Sequence, residues 1–261
     1  MKIYEPIRKA REYSPLALNI FNGCDHGCSY CYVPNLMKRF RSEYNHCDLS
    51  IQSFDGLEAS VKKLSGSDFP VLLSFTGDPY CQFNDKVKAT RKVLEILLKH
   101  DIKVSILTKG GERCFQDIDL FKKFGDRIRI GATLTLDNQE DSKMWEPGAA
   151  SPSERLLTLK ALHNEGIKTW ASFEPVLSTR QSLNLMYAGF DFIDLYKVGK
   201  LNNYKGLDKK IDWKSFLRET VRILRLNAMR FYIKEDLKIQ DPDFVFYPDE
   251  IDPDYYNDFT K

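Results

Sequence analysis

Three cysteines within eight residues are the part of this chain best equipped for chemistry. In Gly23-Cys24-Asp25-His26-Gly27-Cys28-Ser29-Tyr30-Cys31-Tyr32 the spacing is C-x3-C-x2-C. Clustered thiolates suit soft metals, either zinc or an iron–sulfur cluster. A structural zinc needs a fourth protein ligand, and Cys47 and His46 are the nearest candidates. A cubane cluster held by three cysteines leaves one iron open to an exogenous ligand. The other cysteines, Cys47, Cys81 and Cys114, are too scattered in a chain of 261 residues to read as a disulfide scaffold.

Polar residues at the ends of apolar runs are the next candidates. Asp78, in Thr76-Gly77-Asp78, suits a ligand ammonium or an Asp-Pro turn. Lys109 suits a carboxylate, or is a solvated lysine before the Gly110-Gly111 turn. Thr133 and Thr135 put hydroxyls on one face of a strand, although threonine is also simply a good strand former. Glu174 lies inside the apolar run of residues 170–176, so it needs a ligand or a partner such as Arg155 or Lys200. Cys81 is a reactive thiol or a small buried hydrophobe.

The elements that must position these residues alternate along the chain. Apolar runs at 16–21, 70–75, 102–107, 128–136, 169–177 and 192–198 read as strands, with a further one at 230–233. Helical spacing appears at 56–64, 85–100, 114–124, 180–188 and 213–226. Ser151-Pro152-Ser153-Glu154 opens another helix as a capping box. Such alternation predicts a parallel sheet with helices outside. About six units are too few for a closed eight-fold barrel, so an α/β partial (β/α)6 TIM-like barrel is expected, with a doubly wound sheet as the alternative. In both, ligands gather at the C-terminal strand ends, where the cysteine loop, Asp78, Lys109 and the threonines fall.

Composition sets the outer bounds. With 43% hydrophobic and 29% charged residues the chain is globular, which excludes disordered and low-complexity classes. No apolar run is long enough to span a bilayer, and the first residues lack a signal-peptide stretch, so a soluble cytoplasmic protein is expected. Residues 240–261 carry seven acids against Lys261, a net charge of −6, which leaves +8 on the rest of a chain whose total is +2. The expected organisation is therefore a barrel over 1–235 and an acidic, aromatic tail over 236–261. A basic body fits an anionic substrate, or merely keeps the surface soluble.

With an aromatic residue, Tyr30, before its last cysteine, the loop after the first strand resembles that of the radical S-adenosylmethionine (SAM) superfamily. Further matches resemble the spore photoproduct lyase and DNA repair photolyase-like branch. They are residues 31–34 (Cys-Tyr-Val-Pro), 75–80 (Phe-Thr-Gly-Asp-Pro-Tyr), 107–109 (Leu-Thr-Lys) and 145–148 (Trp-Glu-Pro-Gly), followed by Arg155-Leu156. The resemblance implies a [4Fe-4S] cluster on Cys24, Cys28 and Cys31 whose open iron binds SAM. It implies SAM contacts from Tyr30, Thr76, Gly77, Asp78, Lys109, Thr133, Thr135 and Glu174. It also implies an external electron donor of the flavodoxin or ferredoxin type and a 5′-deoxyadenosyl radical that abstracts hydrogen.

Spore photoproduct lyase carries a hydrogen-donating cysteine where this chain has Phe75, and Cys81 is the nearest substitute. That departure bears on thymine-dimer repair and leaves the radical chemistry untouched. Repair or modification of a nucleic-acid base is the expected activity, with Lys38, Arg39 and Arg41 beside the cluster loop contacting phosphates. Lys197, Lys200, Lys205, Lys209 and Lys210 add further positive charge. A small-molecule or peptide substrate is the alternative.

Overall fold

The computed structural model describes residues 1–47, 52–64, 66–202, 204 and 206–253. Lys205 and the tail residues Asp254, Asp258 and Lys261 lie outside the described residues. Seven strands pair in chain order: β1 (Leu16–Leu18), β2 (Val71–Leu73), β3 (Val104–Thr108), β4 (Ile128–Thr133), β5 (Lys168–Phe173), β6 (Leu195–Val198) and β7 (Phe231–Ile233). Every pairing is parallel. A doubly wound sheet reverses its strand order at a switch point. Here the order never reverses, and the sheet curls into a half-barrel with helices around it.

Both faces of the sheet are covered, so the strands read as near-continuous apolar runs. β1, β2, β4, β6 and β7 are buried at every position. Between strands and helices lie two large apolar clusters, one around Leu18, Val71, Val93 and Phe121, the other around Phe173, Val198, Leu217 and Val221. A smaller cluster joins Tyr13, Ala17, Leu72, Trp170 and Leu195. Gly131 makes room for the Trp170 indole, since an added Cβ would lie 2.3 Å from it.

Open sheet edges need cover. Tyr4 pairs antiparallel with Ala17 of β1, through N–H···O bonds of 3.0 and 2.8 Å. Near β7, Glu12 accepts from the Tyr232 hydroxyl at 2.9 Å and from the Glu235 N–H at 2.8 Å.

Two local expectations are corrected. The helix expected at 85–100 is two helices, Gln82–Val87 and Ala89–Lys99, parted by Lys88 in the left-handed region with φ 52°. The Ser151 hydroxyl accepts from the Glu154 N–H at 3.2 Å, but Glu154 does not return the bond. Its carboxylate accepts instead from the Glu112 N–H at 3.1 Å, tying the Pro152–Asn164 helix to the loop after β3.

The described part of the tail packs on the Trp213–Leu226 helix. Arg225 donates twice to Glu250, at 2.6 and 2.7 Å, and Arg218 pairs with Asp241 at 2.5 Å. Acids of the tail thus neutralise cations of that helix. Among the described residues, no helix is long and apolar enough to cross a membrane.

Candidate active site

The chain leaves β1 at Leu18 and enters the cysteine loop across the C-terminal ends of the strands. Asn19 ends the strand by accepting from the Phe75 and Thr76 N–H groups at 2.8 and 3.1 Å, which ties the β1 and β2 exits together. The Cys24 N–H donates to the Tyr44 carbonyl at 3.1 Å, and the Gly148 N–H to the His26 carbonyl at 2.8 Å. Two glycines are required by close approach. A Cβ on Gly77 would lie 2.8 Å from the Gly23 carbonyl, and one on Gly148 2.3 Å from the Asp25 carbonyl.

Cys24 and Cys31 are half-buried and Cys28 is buried. Burial raises the Cys28 thiol to about 11, against the nearby Lys109 ammonium, which acts to lower it. Burial also raises the Cys24 thiol, so deprotonating the loop's thiols together calls for a cationic group to bind them. A single tetrahedral zinc would draw thiolates to about 3.8 Å from one another. The triad is not drawn within 4.8 Å, whereas Asp25, Cys47 and Cys81 are. Cys47, a candidate fourth zinc ligand, is therefore committed elsewhere, with its sulfur 3.3 Å from that of Cys81. A cluster with each cysteine on its own iron spaces its thiolates more widely, and the triad fits that group better than a single ion.

One wall of the site is a buried polar network around Glu146. The Tyr30 hydroxyl donates to Glu146 Oε1, and Thr135 Oγ1 donates to the same oxygen at 2.8 Å. Arg155 donates to Glu146 Oε2 at 2.5 Å, to the Thr133 carbonyl at 3.0 Å and to the Ala150 carbonyl at 2.9 Å. Burial pushes the Glu146 carboxyl up, but Arg155 and Lys109 outweigh it and hold the group below its ordinary value. Lys109 lies against this wall, its ammonium 5.6 Å from the centroid of the Tyr30 ring. Among the described residues, no oxygen accepts a hydrogen bond from that ammonium.

Asp78 is spent within the protein. Its Oδ1 accepts from Thr108 Oγ1 at 2.6 Å and from the Tyr80 N–H at 2.8 Å, and its Oδ2 from the Lys109 N–H at 2.7 Å. His26 Nδ1 approaches Oδ2 at 3.4 Å, and Arg113 lies 3.4 Å from His26 Nε2. Burial lowers the His26 pKa, so the ring is neutral, and the tautomer with Nδ1–H satisfies both contacts. Asp78 and His26 together brace the β2 and β3 exits against the cysteine loop.

Other candidate residues lie as follows. Thr76 Oγ1 donates to the Phe21 carbonyl at 3.3 Å. Neither partner anticipated for Glu174 reaches it, because Arg155 binds Glu146 and Lys200 binds Asp208 at 3.1 Å. Glu174 instead accepts from Lys234 and from the Tyr13 hydroxyl, both at 2.6 Å. Cys81 is fully buried against Cys47. Arg41 donates to the Cys28 and Cys31 carbonyls at 2.7 and 3.0 Å, and Arg39 to the Asn22 carbonyl at 2.6 Å. Both guanidiniums grip the loop, while Lys38 is exposed. Lys197 is buried near Trp170. His26 was missed in the sequence, Glu146 was seen there only as part of a motif, and Arg155 was read as a partner for Glu174 and not for Glu146. Their signal was the Trp-Glu-Pro-Gly loop and the arginine one helical turn past the Ser151 cap.

A curled parallel sheet with a three-cysteine loop at its first strand end is the architecture of radical SAM enzymes, and the comparisons agree. The Radical SAM superfamily model matches residues 18–180, so the chain belongs to this superfamily. Its cofactors are a [4Fe-4S] cluster and SAM.

Among curated relatives, an uncharacterised protein of Methanocaldococcus jannaschii is 29% identical over 202 residues, 72% of this chain and 73% of the relative. An uncharacterised protein of Acidianus two-tailed virus is 27% identical over 172 residues, covering 61% and 55%. Streptococcus suis SuiB bound to S-adenosylmethionine matches with TM-score 0.65 and 15% identity, over 88% of this chain. The chain spans only 53% of SuiB. Spore photoproduct lyase complexed with dinucleoside spore photoproduct matches with TM-score 0.62 and 13% identity, covering 88% and 78%. At such identities the two structures establish the shared fold.

Proposed function

We propose that Cys24, Cys28 and Cys31 hold the cluster, that SAM pairs its carboxylate with Lys109, and that the substrate is a nucleic-acid base to be repaired or modified. The Lys109 ammonium carries the cofactor part of this reading, because it lies beside the cysteine loop without a hydrogen-bond acceptor among the described residues. A half-buried cation of that kind favours an anionic ligand. Tyr30, Thr133 and Thr135 give the pocket its polar wall, and Thr76 and Gly77 its β2 side. Asp78 acts by holding the β2 and β3 exits in place, since its own oxygens are engaged. Glu174 closes the side near β7, and Cys81 is too buried to donate hydrogen to a substrate. Bound in this pocket, the cluster and SAM supply a 5′-deoxyadenosyl radical for hydrogen abstraction, with electrons from a flavodoxin- or ferredoxin-type donor.

The nucleic-acid part is supported by the segment that follows the cluster loop. Tyr32 is 46% and Phe40 77% exposed there, beside the exposed Lys38. Exposed rings with a neighbouring cation suit stacked bases and their phosphates. A base within a duplex would have to be extruded first. Reduced, cluster-loaded protein is to be titrated with single-stranded and duplex DNA and RNA in the presence of SAM. Affinity should fall steeply from about 50 to 200 mM salt, and Lys38→Glu should flatten that slope by about one contact or more. No binding at about 50 mM salt would replace this substrate with a small molecule or peptide.

A further inference from the structure

We propose that Asp25, Cys47 and Cys81 form a second metal site behind the cluster loop, for one soft divalent cation of the zinc type. One ligand atom from each residue lies within 4.8 Å of the others. The two sulfurs are 3.3 Å apart, on residues that are 1% and 0% exposed. About 3.8 Å separates thiolates on a tetrahedral zinc, so a small outward shift would complete the geometry. Asp25 is preorganised in the manner of a ligating carboxylate. Its Oδ1 accepts from the Gln82 N–H at 3.0 Å and its Oδ2 from the Phe83 N–H at 2.8 Å. Each oxygen keeps a further lone pair. The Gly23 carbonyl, 3.3 Å from the Cys47 sulfur, or a water supplies the fourth vertex.

Two simpler accounts explain less. A pair of buried cysteines acting as hydrophobes, with Asp25 only binding the helix N–H groups, gives no use to the carboxylate lying within ligand distance of both sulfurs. A disulfide switch needs an oxidant to reach sulfurs that are closed off from solvent, and it gives the carboxylate beside them no part. Among the described residues, no cationic side chain forms a salt bridge with Asp25, whose partners are the two backbone N–H groups of Gln82 and Phe83. Metal binding is balanced by release of the two thiol protons to water, with no electron transferred. The ion would join the cysteine loop, the segment at Cys47 and the loop after β2, and it assigns Cys81 a ligand's place instead of a donor's.

The test uses the full chain, purified without oxygen from zinc-supplemented cells. Elemental analysis should find about one zinc per chain besides the cluster iron. Cys47→Ser and Cys81→Ser should lose the zinc and keep the iron, whereas the Cys24, Cys28, Cys31 triple alanine variant should lose the iron and keep the zinc. Asp25→Asn retains an acceptor for the helix N–H groups, and should bind zinc at least about tenfold more weakly. Cobalt added to zinc-stripped protein should give a thiolate-to-cobalt charge-transfer band that Cys47→Ser abolishes. A wild-type chain without zinc, zinc content unchanged in Cys81→Ser, or a Cys47–Cys81 disulfide in the anaerobic protein would each overturn the proposal.

Discussion

Glu146 and Glu174 are both carboxylates at the mouth of the same half-barrel, and their surroundings divide it into two regions. Around Glu146, the side chains of Tyr30, Thr135, Arg155 and Lys109 meet beside the cysteine loop. Around Glu174, Lys234, Tyr13 and Asn202 gather on the side toward β7, with Glu12 3.6 Å from the same Lys234 ammonium. Glu174 has its cation within hydrogen-bond reach. In the first region Arg155 satisfies Glu146, and Lys109 is left over. On the proposed reading, the unengaged Lys109 ammonium is the cofactor contact and the Glu174 group closes the barrel.

The largest way to break that comparison is to remove Arg155. Arg155→Ala leaves Glu146 buried with its principal counter-charge gone, and should cost about 3–5 kcal/mol of stability by denaturant midpoint. Lys109→Ala should cost less stability than Arg155→Ala, since Arg155 stays bonded to Glu146, and weaken SAM binding by roughly 1.5–3 kcal/mol, the worth of a charge-assisted hydrogen bond. Titrating SAM against the cluster's spectroscopic signal measures it, and unchanged affinity would remove Lys109 from the pocket. Lys234→Ala should cost about 1–3 kcal/mol of stability, since Tyr13 and Asn202 still donate to Glu174, with SAM affinity unaltered. A drop in SAM affinity in that variant would return Glu174 to the cofactor site.

A smaller effect lies in the acid limb of stability. Glu146 has a folded pKa below its unfolded value of about 4.3. Its contribution is therefore fully present above that unfolded value and lost as pH falls through the folded one. Glu146→Gln should flatten the loss of stability below about pH 4 relative to wild type. An acid limb of identical slope in the two proteins would assign the lowered pKa to another group.

The strands were legible because both faces of the sheet are covered, which writes each one as an apolar run. Their ends were less so. The first run continues through Ile20 and Phe21, but the strand stops at Leu18, because Asn19 turns to bind the backbone of Phe75 and Thr76. The cysteine loop was legible from spacing alone. Its surroundings were not, because the deciding contacts are remote in sequence. Tyr30 reaches Glu146 across 116 residues, Asp78 is consumed by Thr108 from 30 residues away, and Cys81 meets Cys47 across 34. Arg41 looked like a phosphate contact from its charge, while its guanidinium donates to two carbonyls of the cluster loop.

The central claim is that Cys24, Cys28 and Cys31 form the iron site and that the remaining cysteines stand apart from it. Iron and sulfide counted in anaerobically reconstituted Cys31→Ala and Cys47→Ala proteins test it most directly. The account predicts about four irons per chain in wild type and in Cys47→Ala, and a bleached Cys31→Ala protein. Iron retained in Cys31→Ala, or lost from Cys47→Ala, would contradict it.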